Sequence, residues 1–103
     1  MATKTPKLMK LTVLLRFSDD TTREQIDNLI NDYTNLSNSI PAIISFSWGT
    51  DLGVEPAGLN HGYTHAFEFT FESLEGLQEY LDGFKKAFEP CVSQILVMDY
   101  FLY

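Results

Sequence analysis

Apolar and polar positions alternate along Leu8 to Phe17, with Met9, Leu11, Val13, Leu15 and Phe17 on one face. Lys10, Thr12, Leu14 and Arg16 take the other, and this period of two predicts a first strand. Ser18-Asp19-Asp20 reads as a turn. Thr21 and Thr22 each stand three positions before an acceptor side chain, Glu24 or Gln25, so either can open a capping box. Ile26, Leu29, Ile30, Tyr33, Leu36 and Ile40 then recur at helical spacing until Pro41. Ala42 to Gly49 predicts a second strand with Ile44, Phe46 and Trp48 on one face. A polar loop, Asp51 to Gly62, is punctuated by Gly53, Pro56, Gly58 and Gly62. The third strand, Tyr63 to Glu72, alternates strictly: Tyr63, His65, Phe67, Phe69 and Phe71 against Thr64, Ala66, Glu68, Thr70 and Glu72. Ser73 caps a second helix whose stripe is Leu74, Leu77, Leu81, Phe84 and Phe88, stopped by Pro90. Gly76 and Gly83 weaken that helix by about 1 kcal/mol each relative to Ala. In the last strand, Gln94 to Tyr103, the run Ile95 to Met98 is apolar on both faces.

The order β-α-β-β-α-β predicts an α+β, ferredoxin-like fold: a four-stranded antiparallel sheet with both helices on one face. The helices cover one face only. Residues such as Leu14, Ile43, Ile95 and Val97 leave the other too apolar for a solvated surface, which marks an interface. A two-fold contact between two such sheets would close a dimeric α/β barrel, with these four residues as its expected seam.

Composition narrows the partners. One domain spanning 1–103 is expected, and the net charge of −7, from 14 acidic and 7 basic residues, disfavours nucleic acid and anionic membranes. No apolar run is long enough to span a bilayer. The N-terminal segment does not read as a secretory signal, and a single cysteine, Cys91, fits a reducing compartment. A cytoplasmic location is therefore expected.

Several motifs resemble the stress-responsive dimeric α/β-barrel family. They are Lys10 to Phe17, Thr22-Arg23-Glu24-Gln25-Ile26, Ser45-Phe46-Ser47-Trp48-Gly49, Gly62-Tyr63-Thr64-His65, Thr70-Phe71-Glu72-Ser73 and Leu96-Val97-Met98-Asp99-Tyr100. Further stretches, Ile30-Asn31-Asp32-Tyr33-Thr34-Asn35-Leu36 and Asp99-Tyr100-Phe101-Leu102-Tyr103 among them, resemble the family's ring-forming, boiling-stable stress proteins. The resemblance implies a homodimer as building block, a ring of dimers, thermostability and a role in stress response. The family also includes a plant polyketide cyclase. For that activity the resemblance implies Tyr63, working with a histidine from a His-Pro-x-His segment of the second helix. That segment is missing: Tyr80-Leu81-Asp82 runs directly into Gly83-Phe84-Lys85-Lys86, and no histidine follows His65.

A cyclase needs a base near working pH and a donor facing the developing oxyanion. Tyr63 and His65 are the candidates, two apart on one strand, with Trp48, Phe67, Phe69, Phe84 and Phe88 as candidate pocket residues for a small hydrophobic ligand. Five aromatic or imidazole side chains on one short face, however, read first as core. Leu11, Ile44, Phe69 and Ile95 read as a repacked version of the stress-protein scaffold. No metal set, cofactor motif or activated cysteine is recognisable. The leading expectation is a non-enzymatic self-assembling protein; the alternative is a cyclase-like enzyme or hydrophobic-ligand binder using Tyr63 and His65.

Overall fold

The computed structural model describes residues 8–87 and 91–103, with residues 82–87 given by their backbone alone. Phe88 and Pro90, and the side chain of Phe84, lie outside the described residues. Six elements follow in order: β1 (Met9–Phe17), α1 (Arg23–Ser39), β2 (Ile43–Thr50), β3 (His65–Phe71), α2 (Leu74–Ala87) and β4 (Val92–Phe101). The strands form one sheet in the order β2-β3-β1-β4, each neighbouring pair antiparallel. This is the ferredoxin-like arrangement, with α1 and α2 packed on one face of the sheet.

Local signals explain the element boundaries. The Thr22 hydroxyl accepts from the Gln25 amide at 3.1 Å, and Gln25 Oε1 accepts from the Thr22 amide at 2.8 Å. The capping box thus satisfies two backbone donors that a helix start otherwise leaves orphaned. At α2 the Ser73 hydroxyl accepts from the Gly76 amide at 3.1 Å.

The core lies between the helices and the inner sheet face. Leu11, Val13 and Leu15 of β1, Phe67, Phe69 and Phe71 of β3, Tyr33 of α1 and Tyr80 of α2 are all 0% exposed. The rings interlock: Tyr33 meets Phe67 edge-on at 4.8 Å, and Phe69 contacts Phe46 at 4.6 Å and Tyr80 at 4.7 Å between centroids. Burying one such side chain is worth about 1.5–3 kcal/mol, and the favourable ring geometries add to this.

Three expectations are corrected here. The α2 stripe does not start at Leu74, which sits in the first turn and is exposed; its buried positions are Leu77 and Tyr80, with Leu81 half-buried beside them. In β2 the pairing slips between Ile43, opposite Phe71, and Ser45, opposite Thr70. The bulge leaves Ile44 exposed and turns Ile43 inward against the core. The four expected seam residues therefore do not share a face. Ile95 lies opposite Leu15 and Val97 opposite Val13, on the helix-facing side with Ile43, while Leu14 lies opposite Leu96 on the open side.

Gly76 is explained by packing. A Cβ there would collide with the Ala42 side chain just before β2, so the helix comes this close only because position 76 has none. Helix propensity alone makes Gly76→Ala stabilising by about 1 kcal/mol, whereas overpacking a buried site costs about 1–3 kcal/mol. Gly76→Ala is expected to lower the denaturation midpoint in urea; a raised midpoint would show that the helix shifts without cost.

Candidate functional site

The residues singled out by sequence fall into two places. On the helix-facing side, Phe67 and Phe69 are fully buried and Trp48, half exposed, stacks near Phe67 at 6.1 Å. The space a ligand would need between helices and sheet is filled by Tyr33 and Tyr80 meeting the β3 phenylalanines. Burial pushes both tyrosine hydroxyls far above their ordinary range. For Tyr80 the nearby Tyr33 and Asp99 act in the same direction, after burial. Asp99 lies opposite Leu11 on that side, its carboxyl raised by burial. Tyr33 belongs to the apolar stripe expected of α1, whereas its neighbours Tyr80 and Asp99 are not among the residues that the sequence pattern singles out. The available signals were Tyr80 three positions after Leu77, and a carboxylate ending an apolar strand run.

The second place is a groove of about 280 Å³ at one end of the open sheet face. Ala66, Leu14 and Leu96, side by side across β3, β1 and β4, form its floor. The loop between β2 and β3 supplies Asp51, Leu59, Asn60, His61 and Tyr63. The Asn60 Nδ2 group donates to Asp51 Oδ2 at 2.8 Å, and the Asn60 side-chain carbonyl accepts from the Gly62 amide at 2.9 Å. The Gln94 amide donates to the His61 carbonyl at 3.0 Å, tying the loop to β4.

Tyr63 stands before β3, beside the groove, and is half-buried. His65 lines the groove too, but its ring meets Phe17 edge-on at 4.9 Å, and it borders a hollow holding Ile26, Ile30 and Trp48. Thr64 Oγ1 and His65 Nδ1 are hydrogen-bonded at 2.8 Å. Burial lowers the His65 pKa, so the imidazole is neutral near pH 7. Among the described residues no hydrogen bond joins Tyr63 to His65, and no group of three His, Cys, Asp or Glu is placed to hold a metal ion. No helix among them is long and apolar enough to cross a membrane. The Cys91 thiol is buried and pushed up, first by that burial.

Comparison with known proteins places this architecture. Residues 9–102 match the Stress responsive A/B Barrel Domain. The chain belongs to that family. The stress-response A/B barrel domain-containing protein HS1 of Arabidopsis thaliana is 39% identical over 97 residues, covering 89% of this chain and 87% of that protein. Olivetolic acid cyclase of Cannabis sativa is 35% identical, over 89% and 94% of the two chains. Stable protein 1 of Populus euphratica is 60% identical over 38 residues, 32% of this chain and 68% of that one. The structure of a hydroxynitrile lyase from Passiflora edulis superposes with a TM-score of 0.81 at 32% identity, over 96% of each chain. A stress-response protein and two enzymes thus share one scaffold with this chain.

The lowered pKa of His65 has a pH signature. An unfolded histidine, with its pKa near 6.5, binds a proton before the folded one does, so this contribution is intact above about pH 6.5 and is lost as pH falls through the folded value. Wild-type protein is expected to lose more stability between pH 7.5 and 5.5 than His65→Gln, measured by urea denaturation. Equal losses would show that His65 titrates normally.

Proposed function

We propose that this chain, as one domain over residues 1–103, is a non-enzymatic, self-associating stress-response protein of the cytoplasm. Its unit is a homodimer built on the sheet, and dimers associate further into a thermostable ring. The observation that carries this reading is the uncovered strand β4. Ile95, Leu96, Val97 and Met98 are 38%, 49%, 40% and 61% exposed, a run of apolar side chains on both faces of an edge strand. Isolated monomers rarely leave such a surface in water, and an unpaired apolar edge invites pairing with another chain. Leu14 adjoins Leu96 on the open face, while Ile95 and Val97 project on the other side. A partner that covers the open face and wraps the β4 edge would bury both sets. Dissociation then accompanies unfolding, so association raises the apparent melting temperature as protein concentration rises. The ring and heat resistance are supported only by the resemblance of Ile30 to Leu36 and Asp99 to Tyr103 to ring-forming, boiling-stable proteins of the family.

A second reading, a cyclase-like enzyme or small hydrophobic-ligand binder, is favoured by the groove that Tyr63 and His65 both line. The cyclase and lyase relatives support it. The filled helix–sheet interior weighs against it.

Met98→Asp separates the two readings. Met98 is 61% exposed, so in a monomer the change is expected to shift stability by no more than about 0.5 kcal/mol. In the self-associating protein it places a charge in an apolar seam. Light scattering behind a sizing column is expected to give at least a dimer for wild type and a smaller species for Met98→Asp. A wild-type monomer would overturn the assembly reading and leave the groove.

A further inference from the structure

We infer that the hollow between α1 and the end of β2 is a binding site for a small aromatic zwitterion. The class is one planar ring bearing a carboxylate and an ammonium, as in a free aromatic amino acid. Thr50 and His65 border both this hollow and the groove beside Tyr63. The hollow, however, lies on the helix-facing side of the sheet, where Trp48 stands opposite the inward Phe67. β2 is also the sheet edge opposite β4. Association through the open face and the β4 edge therefore leaves the hollow accessible.

Helical periodicity builds one wall. Arg23, Ile26, Asp27 and Ile30, three, four and seven positions along, share one face of α1. Ile26 and Ile30 are half-buried and give this wall its apolar part, while Arg23 and Asp27 stand exposed. The sheet builds the other wall. Trp48 stacks on Phe67 at 6.1 Å with 21° between the rings, which holds the indole in place. It nonetheless stays 46% exposed, so part of its surface is free to stack on a ligand ring. At about 320 Å³ the hollow sits near the lower end of the range for ligand sites, about 300 to 1,000 Å³. That is room for one ring with a short polar chain.

Charge selects the class. Arg23 brings a positive charge and Asp27 a negative one, and among the described residues neither lies within ion-pair distance of an opposite charge. His65 adds none, since burial lowers its pKa and keeps the imidazole neutral near pH 7. A guanidinium matches a carboxylate, and a carboxylate matches an ammonium. A ligand with a single charge satisfies one of the two and meets the other as a like charge, whereas a zwitterion pairs with both. The helix start is also fixed beforehand: the Thr22–Gln25 capping box holds the backbone from which Arg23 projects, which lowers the ordering cost of binding.

Trp48 is the single tryptophan of the chain, so its emission reports on the hollow directly. The test titrates the native protein with L-phenylalanine, phenylpropionate, which lacks the ammonium, and phenethylamine, which lacks the carboxylate. L-phenylalanine is expected to change the Trp48 emission saturably, with each single-charge analogue weaker by about tenfold or more. Arg23→Gln and Asp27→Asn change exposed side chains on which the core does not depend. Each is expected to weaken L-phenylalanine by about tenfold or more. Arg23→Gln should spare phenethylamine, and Asp27→Asn should spare phenylpropionate. Absence of a saturable change with L-phenylalanine would overturn the site. Analogues that bind as tightly as L-phenylalanine, or two variants that bind it like wild type, would overturn the zwitterion assignment.

Discussion

The aromatic ladder of β3 is the contact on which the remaining structure depends. Phe67, Phe69 and Phe71 project toward the helices from alternate positions, and every neighbouring element is fitted to them. Tyr33 brings in α1, Tyr80 brings in α2, Phe46 brings in β2, and Leu11, Val13 and Leu15 lie alongside on β1. Rings interlocked at centroid distances of 4.6–4.8 Å leave no room for a small molecule between them. The same packing that supplies stability therefore closes the space where a helix–sheet cavity would otherwise lie. The constraint reaches outward as well: α2 approaches β2 closely enough at Gly76 that a single added carbon collides with Ala42.

The ladder also explains what is left uncovered. Among the described residues, α1 packs chiefly against β2 and α2 against β3, where the aromatic rings are. β4, at the far edge, keeps its backbone paired with β1 while its side chains stay exposed on both faces. An apolar edge strand and an open sheet face are two halves of one deficit in burial. A second chain is the simplest remedy because it presents the same deficit in return. Glu68, half-buried opposite Thr12 on the open face, and Lys10 nearby would meet that partner as charges, which favours one register of association over its neighbours.

Much of this was legible in the sequence, for identifiable reasons. Strict alternation in β1 and β3 assigns their two faces, because the side-chain period of a strand is two and a one-residue slip would bury Lys10 and Glu68. The Thr22–Gln25 capping box and the Ile26–Leu29–Tyr33 spacing placed α1. What failed did so where local pattern and tertiary contact diverge. A bulge is set by the partner strand's register, so Ile43 and Ile44, both apolar, could not be told apart. Tyr80 carries a polar atom that masks it in a hydrophobic pattern, although its position three residues after Leu77 puts its ring in the core. The groove was hidden because its wall is a loop of polar, glycine-rich composition. Only the fold sets Leu59 and Asn60 of that loop against Leu14 and Leu96, from distant parts of the chain.

The relationship to two enzymes bears on function through residues rather than fold. A scaffold found in a cyclase, a hydroxynitrile lyase and stress-response proteins permits chemistry without specifying it. Proton transfer requires a group titrating near working pH within hydrogen-bond reach of a substrate. In this chain burial pushes the Tyr33 and Tyr80 hydroxyls away from such values, deep in a packed interior. His65 is engaged by Thr64 and by the edge of Phe17. Tyr33, Tyr80 and His65 are thus drawn into packing. Surface left over for association lies on the opposite side of the sheet, where an apolar face, an exposed edge strand and a pinned loop meet at the same end.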